Sequence, residues 1–170
     1  MTASDSPQVG ANEPGLTVER VFDAPPALIW RAWTEPEHFK RWYGPQGVTM
    51  PTCEIDFRLG GRHLFGLQMP DGNGYWTTGV YQEISPIERF AYTDAFADAQ
   101  GNVVPGTHYG MSDDAHTETV VTVILEDIGG GKTKLTLRQA VWADAAMAQG
   151  ASDGWNQALD KLAAELAGKA

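Results

Sequence analysis

Residues 144–167, DAAMAQGASDGWNQALDKLAAELA, decide the fold. Met147, Ala151, Trp155, Leu159, Leu162 and Leu166 fall three or four positions apart, which draws one apolar stripe along a helix from about Asp144 to Ala167. At 1.5 Å per residue such a helix is roughly 35 Å long. Its stripe has to be buried, and the segment before it supplies the partner.

Between Thr52 and Gln139 the periodicity is two, in short runs broken by turn residues. Cys53, Ile55 and Phe57 share one strand face, closed by Gly60-Gly61; His63, Phe65, Leu67 and Met69 share the next, closed by Pro70-Asp71-Gly72. Tyr75–Ile84 and Phe90–Phe96 are separated by Ser85-Pro86, and a long loop follows from Ala97 to His116. Thr117–Leu125 and Thr133–Ala140 pair across Gly129-Gly130-Gly131. Short connections make this an antiparallel meander. Ahead of it, Leu16–Phe22 reads as a strand. Pro25 and Pro26 open a helix carrying Leu28, Ile29, Ala32 and Trp33. Thr34 is the expected N-cap of a second short helix with Phe39 and Trp42 on one face, stopped by Gly44 and Pro45. The first 15 residues are rich in Ser, Pro, Gly, Asn and Asp and read as a disordered tail, leaving one domain over 16–167.

At 170 residues the chain suits a single core, and 42% apolar against 20% charged residues is a globular balance. A net charge of −10 with only 12 Lys and Arg argues against nucleic acid and anionic membrane surfaces. No apolar stretch is long enough for membrane insertion, and no basic region followed by an apolar run suggests a signal peptide, so a cytoplasmic protein is expected. Cys53, the single cysteine, excludes an internal disulfide and a cysteine-rich metal site, and reads as a buried strand thiol.

The order strand, two helices, meander, long helix is carried by recognisable stretches. They include Arg20-Val21-Phe22-Asp23-Ala24-Pro25, Trp30-Arg31-Ala32-Trp33-Thr34, Arg41-Trp42-Tyr43-Gly44-Pro45, Asp56-Phe57-Arg58-Leu59-Gly60-Gly61 and Gly154-Trp155-Asn156. From Leu16 to Leu166 the chain resembles the START-like (SRPBCC) superfamily, and within it the bacterial proteins related to the C-terminal domain of the activator of Hsp90 ATPase. The resemblance implies an α+β helix-grip fold: a curved antiparallel sheet wrapped around the C-terminal helix, with a ligand cavity between them. It implies no cofactor. Members include lipid carriers, polyketide cyclases and co-chaperones, so fold alone does not choose a function.

The residues available to line such a cavity are Trp33, Trp42, Tyr43, Phe57, Phe65, Trp76, Tyr92 and Trp155, with His63 and Gln139 as polar groups on the same faces. Trp155 sits at the helix midpoint, and its indole N–H needs a partner there, a ligand oxygen or a strand carbonyl. The inward face of Tyr75–Ile84 is open, because both parities carry aromatic or apolar residues. Gly150 and Gly154 each cost a helix about 1 kcal/mol, which points to close helix–sheet approach or to room for a ligand. His108, Asp113, Asp114 and His116 match no metal-ligand spacing and read as an acidic loop, with Tyr109 and Met111 placed to cover the pocket mouth. Catalytic motifs are absent. The leading reading is a non-catalytic binder of a small hydrophobic or aromatic molecule. The alternatives are a cyclase- or hydratase-like enzyme using His63 with Tyr92 or Gln139, and a stimulator of a chaperone ATPase with a stress-response role. A homodimer is compatible with each.

Overall fold

The computed structural model describes residues 15–109, 118–140 and 145–168. The expected tail, apart from Gly15, and the loop residues Met111, Asp113, Asp114 and His116 lie outside them. Gly15 itself already belongs to the first strand.

Strand β1 (Gly15–Phe22) leads through Pro25 into helix α1 (Pro26–Thr34) and the single-turn helix α2 (Pro36–Phe39). Thr34 does not cap α2. It is the last residue of α1, and its hydroxyl donates back to the Trp30 carbonyl four residues earlier (2.8 Å) while Glu35 takes the cap position. Strands β2 (Thr49–Ile55), β3 (Arg62–Gln68), β4 (Gly74–Ser85), β5 (Arg89–Ala97), β6 (Glu118–Gly129) and β7 (Lys132–Ala140) follow, then helix α3 (Ala145–Gly168). The seven strands form one antiparallel sheet in the order β1-β7-β6-β5-β4-β3-β2. Only β1 departs from the meander, closing against β7 in an unbroken register from Gly15↔Ala140 to Phe22↔Thr133. At the β6–β7 hairpin Gly129, Gly130 and Gly131 all take positive φ (87°, 65° and 75°), which is why three glycines stand there.

Alternation along each strand sends one set of side chains toward α3. Val18 and Phe22 of β1, Val121, Val123 and Leu125 of β6, and Leu135 and Leu137 of β7 are buried there, facing Ala158, Leu159, Leu162 and Leu166 of the helix. Fully burying each such side chain is worth about 1.5–3 kcal/mol.

Polar latches fix α3 on both flanks. On the β1 side Arg20 donates to Asp160 Oδ1 (2.8 Å) and to the carbonyl and side-chain oxygens of Asn156 (3.3 and 3.2 Å). On the other side the Lys161 ammonium donates to the carbonyls of Gly44, Pro45 and Val48 (3.2, 3.2 and 3.3 Å), and Gln157 accepts from the Gln46 N–H (2.9 Å). Gly154 faces this same loop, where an added Cβ would sit in ordinary van der Waals contact, 3.5 Å from Pro45 Cγ.

Candidate functional site

Strand register determines what faces the interior at the β3–β5 end of the sheet. The pairs His63↔Gly79, Phe65↔Thr77 and Leu67↔Tyr75 put Tyr75, Thr77, Gly79 and Tyr81 of β4 on the inner face. Thr77↔Phe96 and Tyr81↔Tyr92 then place Phe90, Tyr92, Asp94 and Phe96 of β5 beside them. Between Thr78↔Ala95 and Tyr81↔Tyr92, which share one register, side chains take over from the ladder; the register shift comes after Tyr81, before Glu83↔Ala91. His63 Nε2 lies 2.9 Å from the Thr93 carbonyl, and the Val80 N–H donates to Thr93 Oγ1 (2.9 Å). Gly79 makes this possible. A Cβ on it would meet the Thr93 carbonyl oxygen at 1.8 Å. A carbonyl only accepts, so Nε2 carries the proton, and in the neutral ring Nδ1 is a bare acceptor.

That acceptor is one of several polar atoms left open. His63 Nδ1, Thr77 Oγ1, Tyr92 Oη and Asp94 Oδ1 are buried without a well-formed hydrogen bond, as is Trp33 Nε1, although Thr77 lies close to Asp94 and Tyr92 close to Tyr43. Buried polar groups are nearly always paired, so this cluster on inward positions of three neighbouring strands is the candidate site. Burial pushes the Asp94 carboxyl up to about 7, although Thr77 lies near enough to favour its ionised form. Burial also drives His63 down to about 4, with its Thr93 contact opposing the shift. The two groups are 4.0 Å apart, and near neutral pH the imidazole is uncharged while the carboxyl is poised between its forms. Tyr43 and Tyr92 are held above the ordinary phenol range first by burial. Asp94 retains 14% exposure of its side chain and so stays in reach of solvent.

Aromatic rings wall this floor. His63 stacks on Phe65 (4.2 Å between centroids) and meets Tyr92 and Tyr81 edge-on (5.2 and 5.9 Å). Phe65 approaches Tyr43 (5.5 Å), which meets Trp155 edge-on (5.6 Å), and Trp155 stacks on Trp33 (5.9 Å). Trp33, Phe65, Tyr92, His63 and Trp155 therefore stand along one contiguous interior. Trp42 is also buried, but its indole donates to the Ala32 carbonyl (3.0 Å), which makes it an anchor between α1 and the loop after α2. Phe57 lies past the end of β2 and packs against Trp30, Tyr81 and Phe90, next to the site. The Trp155 N–H takes neither expected partner. It donates to Gln139 Oε1 (2.8 Å), whose amide donates to Thr119 Oγ1 (3.1 Å).

Trp76 has to be withdrawn from the interior. Its neighbours Tyr75 and Thr77 face inward, so it points to the opposite side of the sheet, where its ring lies over Gly66; a Cβ at Gly66 would come within 2.8 Å of it. Asp94, Thr77 and Tyr81 are the site residues that sequence reasoning missed. The alternation Phe90, Tyr92, Asp94, Phe96 was the signal that could have found Asp94.

At the rim, a 3₁₀ turn (Gly106–Tyr109) brings Tyr109 against Phe96 and Tyr75 (5.7 and 6.2 Å), with its hydroxyl donating to the Ala97 carbonyl and accepting from the Trp76 N–H. Among the described residues no group of three or more His, Cys, Asp or Glu side chains could hold a metal ion, and no helix is long and apolar enough to cross a membrane. Burial lifts the Cys53 thiol to about 12, so it is no nucleophile. A separate cleft of about 30 Å³ between α1 and α3, lined by Leu28, His38, Leu162 and Glu165 among others, has room only for water.

A family model described as "Activator of Hsp90 ATPase homolog 1-like protein" matches residues 23–167. Among solved structures, a Chromobacterium violaceum protein is 28% identical with a TM-score of 0.73, covering 88% of this chain and 94% of its own. A Silicibacter pomeroyi protein named AHSA1 is 25% identical with a TM-score of 0.74, covering 92% of this chain and 99% of its own. A Nitrosomonas europaea protein, 23% identical over 94% of this chain and 98% of its own, shares the fold at a TM-score of 0.76. No curated protein matches this chain.

Proposed function

The chain belongs to the activator of Hsp90 ATPase homolog 1-like family, a branch of the START-like superfamily, and from that premise we propose that residues 16–167 act as one domain that binds a small, largely aromatic or apolar molecule between sheet and α3. One observation carries this reading: buried polar atoms without well-formed hydrogen bonds, His63 Nδ1 and Asp94 Oδ1 foremost, lie on one floor under a wall of aromatic rings. An ordinary core wastes no such atoms, because each costs about 1–3 kcal/mol when left unpaired. A mostly apolar site with a few convergent polar groups is how proteins hold and orient small ligands. The test is a panel of aromatic and aliphatic small molecules screened by native mass spectrometry and by thermal shift. Binders raise the melting midpoint and change Trp155 emission, and Tyr92→Phe and Trp155→Phe weaken them. A panel in which nothing binds wild type sinks the reading.

A second reading, an enzyme of the cyclase or hydratase kind, is favoured by one feature. A carboxyl near pH 7 is matched to proton transfer. Asp94 rather than His63 would then be the acid or base, because the His63 N–H is committed to Thr93 and its ring is hard to protonate. Turnover of polyketide-like substrates by wild type, abolished in Asp94→Asn, is what this reading requires.

A further inference from the structure

We infer that the polar floor formed by His63, Thr77, Tyr92 and Asp94 receives the protonated amine of a ligand whose body is aromatic or apolar. This rests on the binding reading above and names the ligand class.

The hydrogen-bonding inventory favours a donor. His63 Nδ1 is a fixed acceptor, because Nε2–H is spent on the Thr93 carbonyl. Asp94 Oδ1 is an acceptor when ionised, and the Thr77 and Tyr92 hydroxyls can accept as well as donate. An ammonium brings three N–H donors and no lone pair, so it can satisfy these atoms together. A ketone or carboxylate would set lone pair against lone pair at His63 Nδ1.

Charge points the same way. Among the described residues the groups facing Asp94 are His63 from β3, Tyr75, Thr77 and Tyr81 from β4, Tyr92 from β5, Thr119 from β6, and Tyr43 from the loop after α2. None is a cation at neutral pH. Arg62, beside His63 in sequence, lies on the other face and donates to the Gly101 carbonyl. The only ion-pair-range neighbour of Asp94 among the described residues is His63, at 4.0 Å and uncharged. A buried carboxylate without a counter-ion is unfavourable, and an incoming cation supplies one. The faces of Tyr43, Phe65, Tyr81 and Tyr92 add attraction for a desolvated ammonium, and a net charge of −10 draws cations toward the protein.

The experiment compares 2-phenylethylamine, 2-phenylethanol and 3-phenylpropionate, titrated against the full chain by calorimetry and Trp emission at about pH 5.5 and about pH 8. The amine stays protonated at both, its pKa lying near that of lysine, about 10. The amine is expected to bind at least about tenfold tighter than the alcohol at the higher pH, as a charge-assisted bond allows. Its affinity rises with pH as Asp94 ionises, the phenylpropionate binds weakest, and in Asp94→Asn amine and alcohol converge. An alcohol that matches the amine in wild type, or an amine affinity that falls as pH rises, overturns the amine assignment and leaves the binding reading standing. Failure of all three probes overturns both. The wild-type comparison depends on no variant folding.

Discussion

The inner face of the sheet is one continuous surface with two different chemistries. On β1, β7 and β6 it is aliphatic: Val18, Leu135, Leu137, Val121 and Val123 meet the leucines of α3. The polar atoms there are bonded, Thr133 Oγ1 to the Ala24 carbonyl (2.7 Å) and Trp155 through Gln139 to Thr119. On β3, β4 and β5 the same inward positions carry His63, Thr77, Tyr81, Tyr92 and Asp94, and His63 Nδ1, Thr77 Oγ1, Tyr92 Oη and Asp94 Oδ1 lack well-formed bonds. Both halves follow the same alternation and both are buried, so neither pattern nor burial separates core from site. What separates them is whether hydrogen-bonding capacity is used up inside the protein.

If that distinction is right, substitutions in the two halves behave in opposite ways. Leu137→Ala, in the aliphatic half, leaves a cavity under α3 and is expected to cost about 2–5 kcal/mol in chemical denaturation; a cost under 1 kcal/mol would mean the packing there is loose. Asp94→Asn, in the open half, is expected to stabilise the ligand-free protein. The sign follows from proton counts. A carboxyl raised from 3.8 to about 7 holds its proton longer in the folded state, so it withdraws stability as pH climbs through that window. The full penalty, present above pH 7, is up to about 4 kcal/mol at 1.36 kcal/mol per unit. His63, lowered from 6.5 to about 4, has the opposite slope: its contribution is complete above pH 6.5 and is lost as pH falls toward 4. Wild-type stability should therefore be nearly flat between about pH 4 and 7 as far as this pair decides it. Asp94→Asn should expose a curve that rises with pH, and a flat curve in the variant would show that the two groups do not oppose each other.

Gly79→Ala probes the seam where His63 replaces a ladder bond. Its methyl must displace the Thr93 carbonyl, at an expected cost of about 1–3 kcal/mol. The His63 imidazole signal should move in the NMR spectrum, and an unmoved signal would show that the two are not coupled. Tyr92→Phe has the smallest expected effect. Removing a hydroxyl that has no well-formed bond, only the nearby Tyr43, should leave the ligand-free protein within about 0.5 kcal/mol of wild type. A larger loss would mean that Tyr92 is already bonded and belongs with the used-up half.

Legibility from sequence divided along similar lines. The long helix, the meander and the first strand were readable because their periods of 3.6 and 2 are long and clean, as in Trp155–Leu166 and Thr133–Gln139, whereas the pairing of the first strand with the last came only from the structure. The Thr34 cap failed because the hydroxyl had a competing acceptor four residues back, a choice that depends on local geometry. Trp76 was unreadable because Tyr75 and Trp76 are both aromatic, so alternation gives no direction; only the register against His63 and Phe65 settles it. Asp94 was passed over for the opposite reason. A carboxylate on a strand is ordinarily a solvent-face residue, and its inward position depends on trusting alternation over polarity. His63 was expected to be either satisfied or functional, and its two nitrogens divide, one bonded and one open.

The latches on α3 have a mechanical consequence. Asn156, Gln157, Asp160 and Lys161 occupy little more than one turn, yet they fasten the helix to β1 on one side and to the Gly44–Val48 loop on the other. A rod of roughly 36 Å gripped at its waist can rock but not slide. The arm from Ala145 to Trp155, about 16 Å long, lies beyond these latches, with Trp155 next to them. The Trp155–Gln139–Thr119 relay lies beside these latches, so any tilt of the helix about them would move that relay least.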